Sequence, residues 1–313
     1  MERILVIRLS AMGDVIHALP AVASLKNSFP QARISWLIKP RWAPLLEGNP
    51  AVDEIVPFTR TVRGIRETVQ RLRRERFDLA VDFQGLVQSA VLARASGARR
   101  IVGLDRAEAR EPLAAIWYST RVRPTSVHRV DQCLELAAAA GATNLVRTFS
   151  VPAGRVEGSL PEGRFVLACP MAGWGAKQWP LDCYSEVAAG LDIPLVVNGP
   201  PEAAAQLSAI RGAAVHLSGL AGLIDATRRA SAVIGVDSGP LHLAAALSKP
   251  GVAIYGPTDP ASHGPYRGPN PGIMRVLRSP GATTSYQRGS IEDASMRAIE
   301  PRAVLEALEE IAV

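Results

Sequence analysis

The sequence predicts an α/β protein built from two doubly wound parallel-sheet domains in tandem. Short apolar runs alternate with amphipathic stretches from end to end, the pattern of strands joined through crossover helices. The chain has 313 residues, long for one core and comfortable for two of about 150 residues each. Residues 151–163, VPAGRVEGSLPEG, are rich in Gly and Pro and lack periodicity, as a linker does. The boundary is expected at 155/156.

In the first half, Arg3–Ile7, Ile34–Ile38, Glu54–Pro57, Leu79–Asp82 and Arg100–Val102 read as strands. Asp14–Ser28, Arg63–Arg76, Leu86–Ala95 and His128–Ala140 read as the helices among them. The second half restarts the alternation with strands at Phe165–Ala168, Pro194–Asn198, Val215–Leu217, Ala232–Val236 and Val252–Tyr255. Its helices are expected at Leu181–Leu191, Glu202–Arg211, Leu220–Arg229 and Pro240–Leu247. Pro301–Val313 closes the chain as an amphipathic helix with Val304, Leu305, Leu308 and Ile311 on one face.

Composition narrows the function. Hydrophobic residues make up 48% of the chain, yet no apolar run approaches the ~20 residues of a membrane span. The N-terminus enters the Ile4–Ile7 run with no signal-peptide pattern before it. Cys133, Cys169 and Cys183 have neither metal-cluster spacing nor an even disulfide count. A soluble, cytoplasmic protein is expected. Residues 1–155 carry 23 Lys and Arg against 14 Asp and Glu, whereas the remainder carries 12 against 15. The basic half is therefore expected to meet an anion. It has no interleaved aromatics and no nucleic-acid motif, which favours a phosphorylated lipid or sugar.

In doubly wound sheets, ligands bind at the carboxyl ends of strands, and the post-strand loops carry the candidate residues. The turn Asp237-Ser238-Gly239 joins an apolar strand to a helix that opens with Pro240. Unpaired N–H groups and the positive dipole end there suit a diphosphate. His242, three residues into the helix, can turn back to the same place or serve structurally. Lys177, in the Gly-containing loop Pro170–Pro180, offers a mobile ammonium for phosphate. Glu202 either complements a helix N-terminus or bonds a sugar hydroxyl. Asp14 stands where a helix begins, either as a cap carboxylate or as a general base. Its loop, Arg8 to Asp14, has a single glycine, so it is no G-x-G-x-x-G dinucleotide site. Most of the helical arginines of the first half read as a solvated face, with Arg60 and Arg63 at a strand-to-helix loop better placed to hold an anionic substrate. Arg8 and Arg110 join them as candidates.

The segments ILVIRLSAMGDVIHALPAV, VDFQGLVQSA, AREPLA, AKQWP, VDSGPLHLAAAL and VAIYGPTDP resemble glycosyltransferase family 9, the lipopolysaccharide heptosyltransferases, along nearly the whole chain. DFQGLVQSA with AREPLAAIWY is most similar to its heptosyltransferase I branch. The resemblance implies a GT-B fold, with two Rossmann-like domains facing across a cleft. It implies an acceptor-binding domain over 1–155, a donor-binding domain over 156–300, and a final helix, 301–313, crossing back to the first. It also implies inverting transfer of heptose from ADP-L-glycero-D-manno-heptose to the Kdo sugar of Kdo–lipid A, with no obligatory metal or cofactor. Asp14 falls on the general base, and Lys177, Glu202, Asp237, Ser238, Gly239 and His242 fall on the donor site. Arg8, Arg60, Arg63 and Arg110 would serve the acceptor. The enzyme would belong to inner-core synthesis in a Gram-negative bacterium, cytoplasmic with peripheral contact to the inner membrane. Another core acceptor and a non-catalytic nucleotide-sugar or glycolipid binder are the alternatives. A different Rossmann enzyme is disfavoured by the missing glycine fingerprint.

Overall fold

The computed structural model describes residues 1–266, 274–287 and 289–311. The chain forms two compact units, Met1–Pro152 and Ala153–Val313. The division falls three residues before the expected boundary because the linker's second part is fastened to the second unit. The Arg155 N–H donates to the Ala221 carbonyl at 3.0 Å, and the Glu157 carboxylate accepts from the Gly219 N–H at 2.6 Å. Gly154, at φ +83°, passes so near the Ala221 carbonyl that a Cβ would lie 2.6 Å from its oxygen. Only glycine fits that approach.

In the first unit the elements are β1 (Arg3–Ile7), α1 (Met12–Ser28), β2 (Arg33–Ile38), β3 (Glu54–Pro57) and α2 (Val62–Glu75), followed by β4 (Leu79–Asp82) and α3 (Val87–Ala95). After them come β5 (Arg100–Leu104), β6 (Thr120–Val122) and α4 (Arg129–Ala140). Pro40–Leu45 and Pro112–Trp117 are 3-10 helices that the periodicity does not reveal. The parallel sheet runs β3-β2-β1-β4-β5-β6. β6 was missed in the sequence, being three residues long with a polar start.

The second unit repeats the plan with β7 (Val166–Cys169), α5 (Leu181–Gly190), β8 (Leu195–Gly199), α6 (Ala204–Ser208), β9 (Ala213–Leu217) and α7 (Leu220–Arg229). There follow β10 (Ala232–Val236), α8 (Gly239–Ala246), β11 (Gly251–Tyr255), α9 (Pro260–His263), β12 (Met274–Arg278), α10 (Ala294–Arg297) and α11 (Pro301–Glu310). Its parallel sheet runs β12-β11-β10-β7-β8-β9. The central strands β1, β4, β7 and β10 are apolar through both faces because helices cover both sides.

The final helix, α11, contributes its apolar face to the second unit's core. Val304, Ala307, Leu308 and Ile311 belong to the second unit's core, with Trp179, Tyr184, Val187 and Ile254. Leu305 packs on the same cluster, and its side chain occupies the space a Cβ on Gly190 would need. The whole apolar face predicted for this helix is thus satisfied within its own unit.

Each sheet has a switch point where successive connections leave in opposite directions. It lies between β1 and β4 in the first unit and between β7 and β10 in the second. There the two post-strand loops are parted and side by side, which makes a crevice.

Candidate active site

At the second unit's switch point the loop after β7 delivers Lys177 and the loop after β10 delivers Asp237. Lys177 ends a short 3-10 turn, Gly175–Lys177, tied by the Ala176 N–H to the Gly289 carbonyl at 3.2 Å. Its Nζ lies 2.5 Å from Asp237 Oδ2 and 4.2 Å from the centre of the Trp174 ring. The ring face and the carboxylate together fix an ammonium that would otherwise sample many rotamers.

His242, on the first turns of α8, places Nε2 3.5 Å from the other oxygen, Asp237 Oδ1. Asp237 is 7% exposed. Burial alone would raise its pKa, but the hydrogen bond and charge of His242, with the charge of Lys177, outweigh burial and hold the carboxyl well below its usual range. Asp237 is therefore an anion that gathers two nitrogen groups at one edge. Beside it, Ser238 caps α8 in extended backbone without using its hydroxyl as a cap. Its Oγ and Thr258 Oγ1, in the loop after β11, are buried and have no hydrogen-bond partner among the described residues. α8 begins at Gly239, one residue earlier than expected, so Pro240 is its second residue. The free N–H groups of the first turn, two unspent hydroxyls and a fixed ammonium make an anion-binding edge.

The first unit's switch point holds Asp14. It lies in the first turn of α1, where its Oδ2 accepts the Ala11 N–H at 3.0 Å. The helix starts two residues earlier than expected, so Asp14 is its third residue and Ala11 its N-cap. The carboxylate reaches back to the cap N–H instead of standing at the cap itself. The same carboxylate also faces Arg8, with Nη2 2.6 Å from Oδ1, and is 27% exposed. The Arg8 guanidinium further donates to the Phe83 carbonyl. On α4, Cys133 senses the charges of Arg8, Asp14 and Arg129, while burial pushes its thiol up to about 11, out of nucleophile range. His17 is buried, its ring edge-to-face with His128 at 5.6 Å between centroids.

The remaining candidates are exposed side chains. Arg60 and Arg110 are exposed. Arg63 is exposed and pairs with Glu67 along α2 at 2.6 Å. Glu202 is exposed in the 3-10 turn after β8, and no hydrogen bond or ion pair holds it among the described residues. Trp174, Thr258 and Gln84 had no role in the sequence reading. Each lies inside a segment quoted there or next to one, and only contact geometry separates them from their neighbours.

Two such sheets, each with charged side chains converging at its switch point, define a GT-B glycosyltransferase architecture. The comparisons agree. The profile of glycosyltransferase family 9 (heptosyltransferase) matches residues 65–288. Lipopolysaccharide heptosyltransferase 1 of Pseudomonas aeruginosa is 32% identical over 290 residues, covering 84% of this chain and 81% of its own. The E. coli heptosyltransferase WaaC, solved with ADP, superposes with a TM-score of 0.79 at 25% identity, over 99% of this chain and 100% of its own. WaaC solved with ADP-2-deoxy-2-fluoro heptose gives 0.76 at 27% identity, with 99% and 100% covered. The chain belongs to glycosyltransferase family 9.

Proposed function

We propose that the protein transfers heptose from ADP-L-glycero-D-manno-heptose to the Kdo sugar of Kdo–lipid A, with inversion at the anomeric carbon. The observation that carries the reading is the Lys177–Asp237–His242 cluster at the start of α8, matched to relatives solved with ADP and an ADP-heptose analogue. Bond breaking leaves negative charge on the departing ADP. Lys177 and the N–H groups at Ser238–Gly239 are aimed at such charge, and groups of this kind are worth about 3 kcal/mol of barrier each. Asp237 does not touch the reacting atoms in this scheme; it holds the Lys177 ammonium and His242 in place. Glu202 bonds a hydroxyl of the donor.

On the first unit, Asp14 takes the proton of the attacking hydroxyl as the new glycosidic bond forms. Its accessibility suits that task, and Arg8 pairs with it until the acceptor arrives. Arg60, Arg63 and Arg110 meet the acceptor's phosphates and carboxylate.

The acceptor is a lipid, and the outer layer of the first unit suits a membrane surface. Right-handed crossovers put α2, α3 and the 3-10 helix Pro112–Trp117 on one side of the sheet, and their inner faces share one core cluster. Outward they expose Val62, Ile65, Val91, Leu113 and Ile116 among Arg63, Arg66, Arg73, Arg74, Arg94 and Arg110. Apolar tips among arginines fit the headgroup region of an anionic bilayer. No described helix is long and apolar enough to cross a membrane.

Incubation with ADP-heptose and Kdo–lipid A, following ADP release and product mass together, tests the reading. Stoichiometric ADP and a product heavier by one heptose support it. Donor binding with no transfer to any Kdo-containing lipid rejects it.

A further inference from the structure

The loop after β4 grips the loop after β1 at three consecutive residues. Phe83 contributes its carbonyl to the Arg8 guanidinium. Gln84, 4% exposed, points its Oε1 at the next two backbone groups, accepting from the Leu9 N–H at 2.9 Å and the Ser10 N–H at 3.1 Å. An amide oxygen has two lone pairs, and both are used. Asp14 follows four residues later, and Arg8 is its ion-pair partner.

Gln84 is itself held from below. Its N–H donates to Asp82 Oδ1 at 2.8 Å, and Asp82 Oδ2 accepts the Tyr118 hydroxyl at 2.7 Å. Asp82 is fully buried at the end of β4. Tyr118 reaches it over β5 at Gly103, the strand partner of Asp82. A Cβ on Gly103 would lie 2.5 Å from the Tyr118 ring, so the crossing needs glycine there. The two loops thus form a stack of Tyr118 on Asp82, Asp82 on Gln84, and Gln84 on the backbone that leads to Asp14.

We propose that Gln84 is the positioning residue for Asp14: its amide oxygen fixes the Leu9–Ser10 backbone so that Arg8 and Asp14 meet in the geometry proton transfer needs. This rests on the reading of Asp14 as the base. Gln84 acts through Asp14 and does not touch substrate. Loosening a catalytic group by about 1 Å costs on the order of 10²-fold in rate, while the donor site, on the other unit, is unchanged.

Two substitutions separate this role from simple packing. Gln84→Met keeps the length and volume and removes the acceptor. Gln84→Glu keeps an oxygen able to accept from both N–H groups. In Gln84→Met, kcat is expected to fall about 10²-fold with the donor KM within twofold and circular dichroism unchanged. Gln84→Glu is expected to recover most of that loss. Should Gln84→Met fail to fold, Gln84→Asn replaces it, withdrawing the same amide by one methylene with the same expected loss of kcat. Full kcat in the folded Met or Asn variant overturns the proposal, as does a Glu variant no better than Met. Hydrogen exchange at the Leu9 and Ser10 amides supplies a readout that needs no turnover. Faster exchange at those two in the Met or Asn variant supports the clamp, and unchanged exchange overturns it. If the wild-type chain transfers no heptose at all, the functional reading falls, and the exchange result still judges the clamp.

Discussion

Asp14 and Asp237 both lie beside the switch point of a doubly wound sheet, Asp14 after the first strand of its unit and Asp237 after the fourth of its own, and each faces a long cation, at 2.6 Å and 2.5 Å respectively. Their surroundings differ. Asp237 is closed in, with Lys177 on one oxygen and His242 on the other, and only 7% of it reaches solvent. Asp14 faces Arg8 and accepts the Ala11 N–H, and about a quarter of its side chain stays accessible. A buried carboxylate with both oxygens occupied by basic groups acts as a scaffold for cations. An accessible one can exchange a partner for a substrate hydroxyl. The two switch points thus suit the opposite chemistries proposed for them, charge stabilisation in one and proton removal in the other.

The sharpest way to break the comparison is Asp14→Asn. If Asp14 is the base, kcat falls about 10²- to 10⁴-fold, while calorimetry with ADP finds wild-type affinity because the donor site is on the other unit. Turnover near wild type would leave Asp14 as a helix cap and nothing more. Lys177→Ala comes next, with an expected loss of about 10²-fold in kcat and a weaker ADP affinity. That joint loss distinguishes it from the Asp14 variant. An unchanged ADP affinity would detach Lys177 from the phosphates.

Asp237→Asn tests the scaffold side through stability. Removing one partner of a buried pair costs about 3 kcal/mol, read as a lower denaturation midpoint at pH 7. The folded pKa of Asp237 is depressed below an unfolded value of about 3.9. Its stabilisation is therefore fully present above about pH 4 and fades as pH falls toward the folded pKa. The titratable groups facing it are Lys177 and His242, with Tyr255 on the next strand. The gap between wild type and Asp237→Asn should close as the pH drops below 4. A gap constant from pH 7 to pH 3 would mean that the carboxylate's charge is not what stabilises the unit.

Much of the fold was legible because apolar runs in strands and a helical period leave little freedom. Arg3–Ile7, Glu54–Pro57, Leu79–Asp82, Leu220–Arg229 and Ala232–Val236 are found at their predicted bounds. Elements that lack a period were not legible: the two proline-opened 3-10 helices of the first unit, short β6, and β12 with its alternating arginines. An amphipathic stripe declares that a face will be buried and does not say against what. At the site, Lys177, Asp237 and His242 were readable as residue types suited to phosphate, and strand order brings the first two together. The Gln84 clamp was hidden because its contacts join residues 75 positions apart, a spacing no local pattern encodes.

The smallest expected effect concerns the arginine-rich outer layer of the first unit, whose counterpart in the second half of the sequence lacks the excess positive charge. In a 3-10 helix residues three apart lie over one another, so Leu113 and Ile116, 56% and 64% exposed, form one apolar ridge beside Arg110. Each arginine near an anionic surface contributes about 1 kcal/mol, and the ridge adds partial burial of two side chains. The double variant Leu113→Ser with Ile116→Ser should keep its fold, since both side chains already face solvent. It should bind phosphatidylglycerol vesicles about five- to tenfold more weakly than wild type, at roughly 0.8 kcal/mol per buried methylene for shallow insertion, with ADP affinity unchanged. Sedimentation with vesicles that contain no acceptor lipid isolates the surface from the active site. Equal binding by wild type and variant would leave the arginines alone as the contact. Absence of wild-type binding, with a concentration-dependent dimer in solution, would give the ridge to a second copy of the chain.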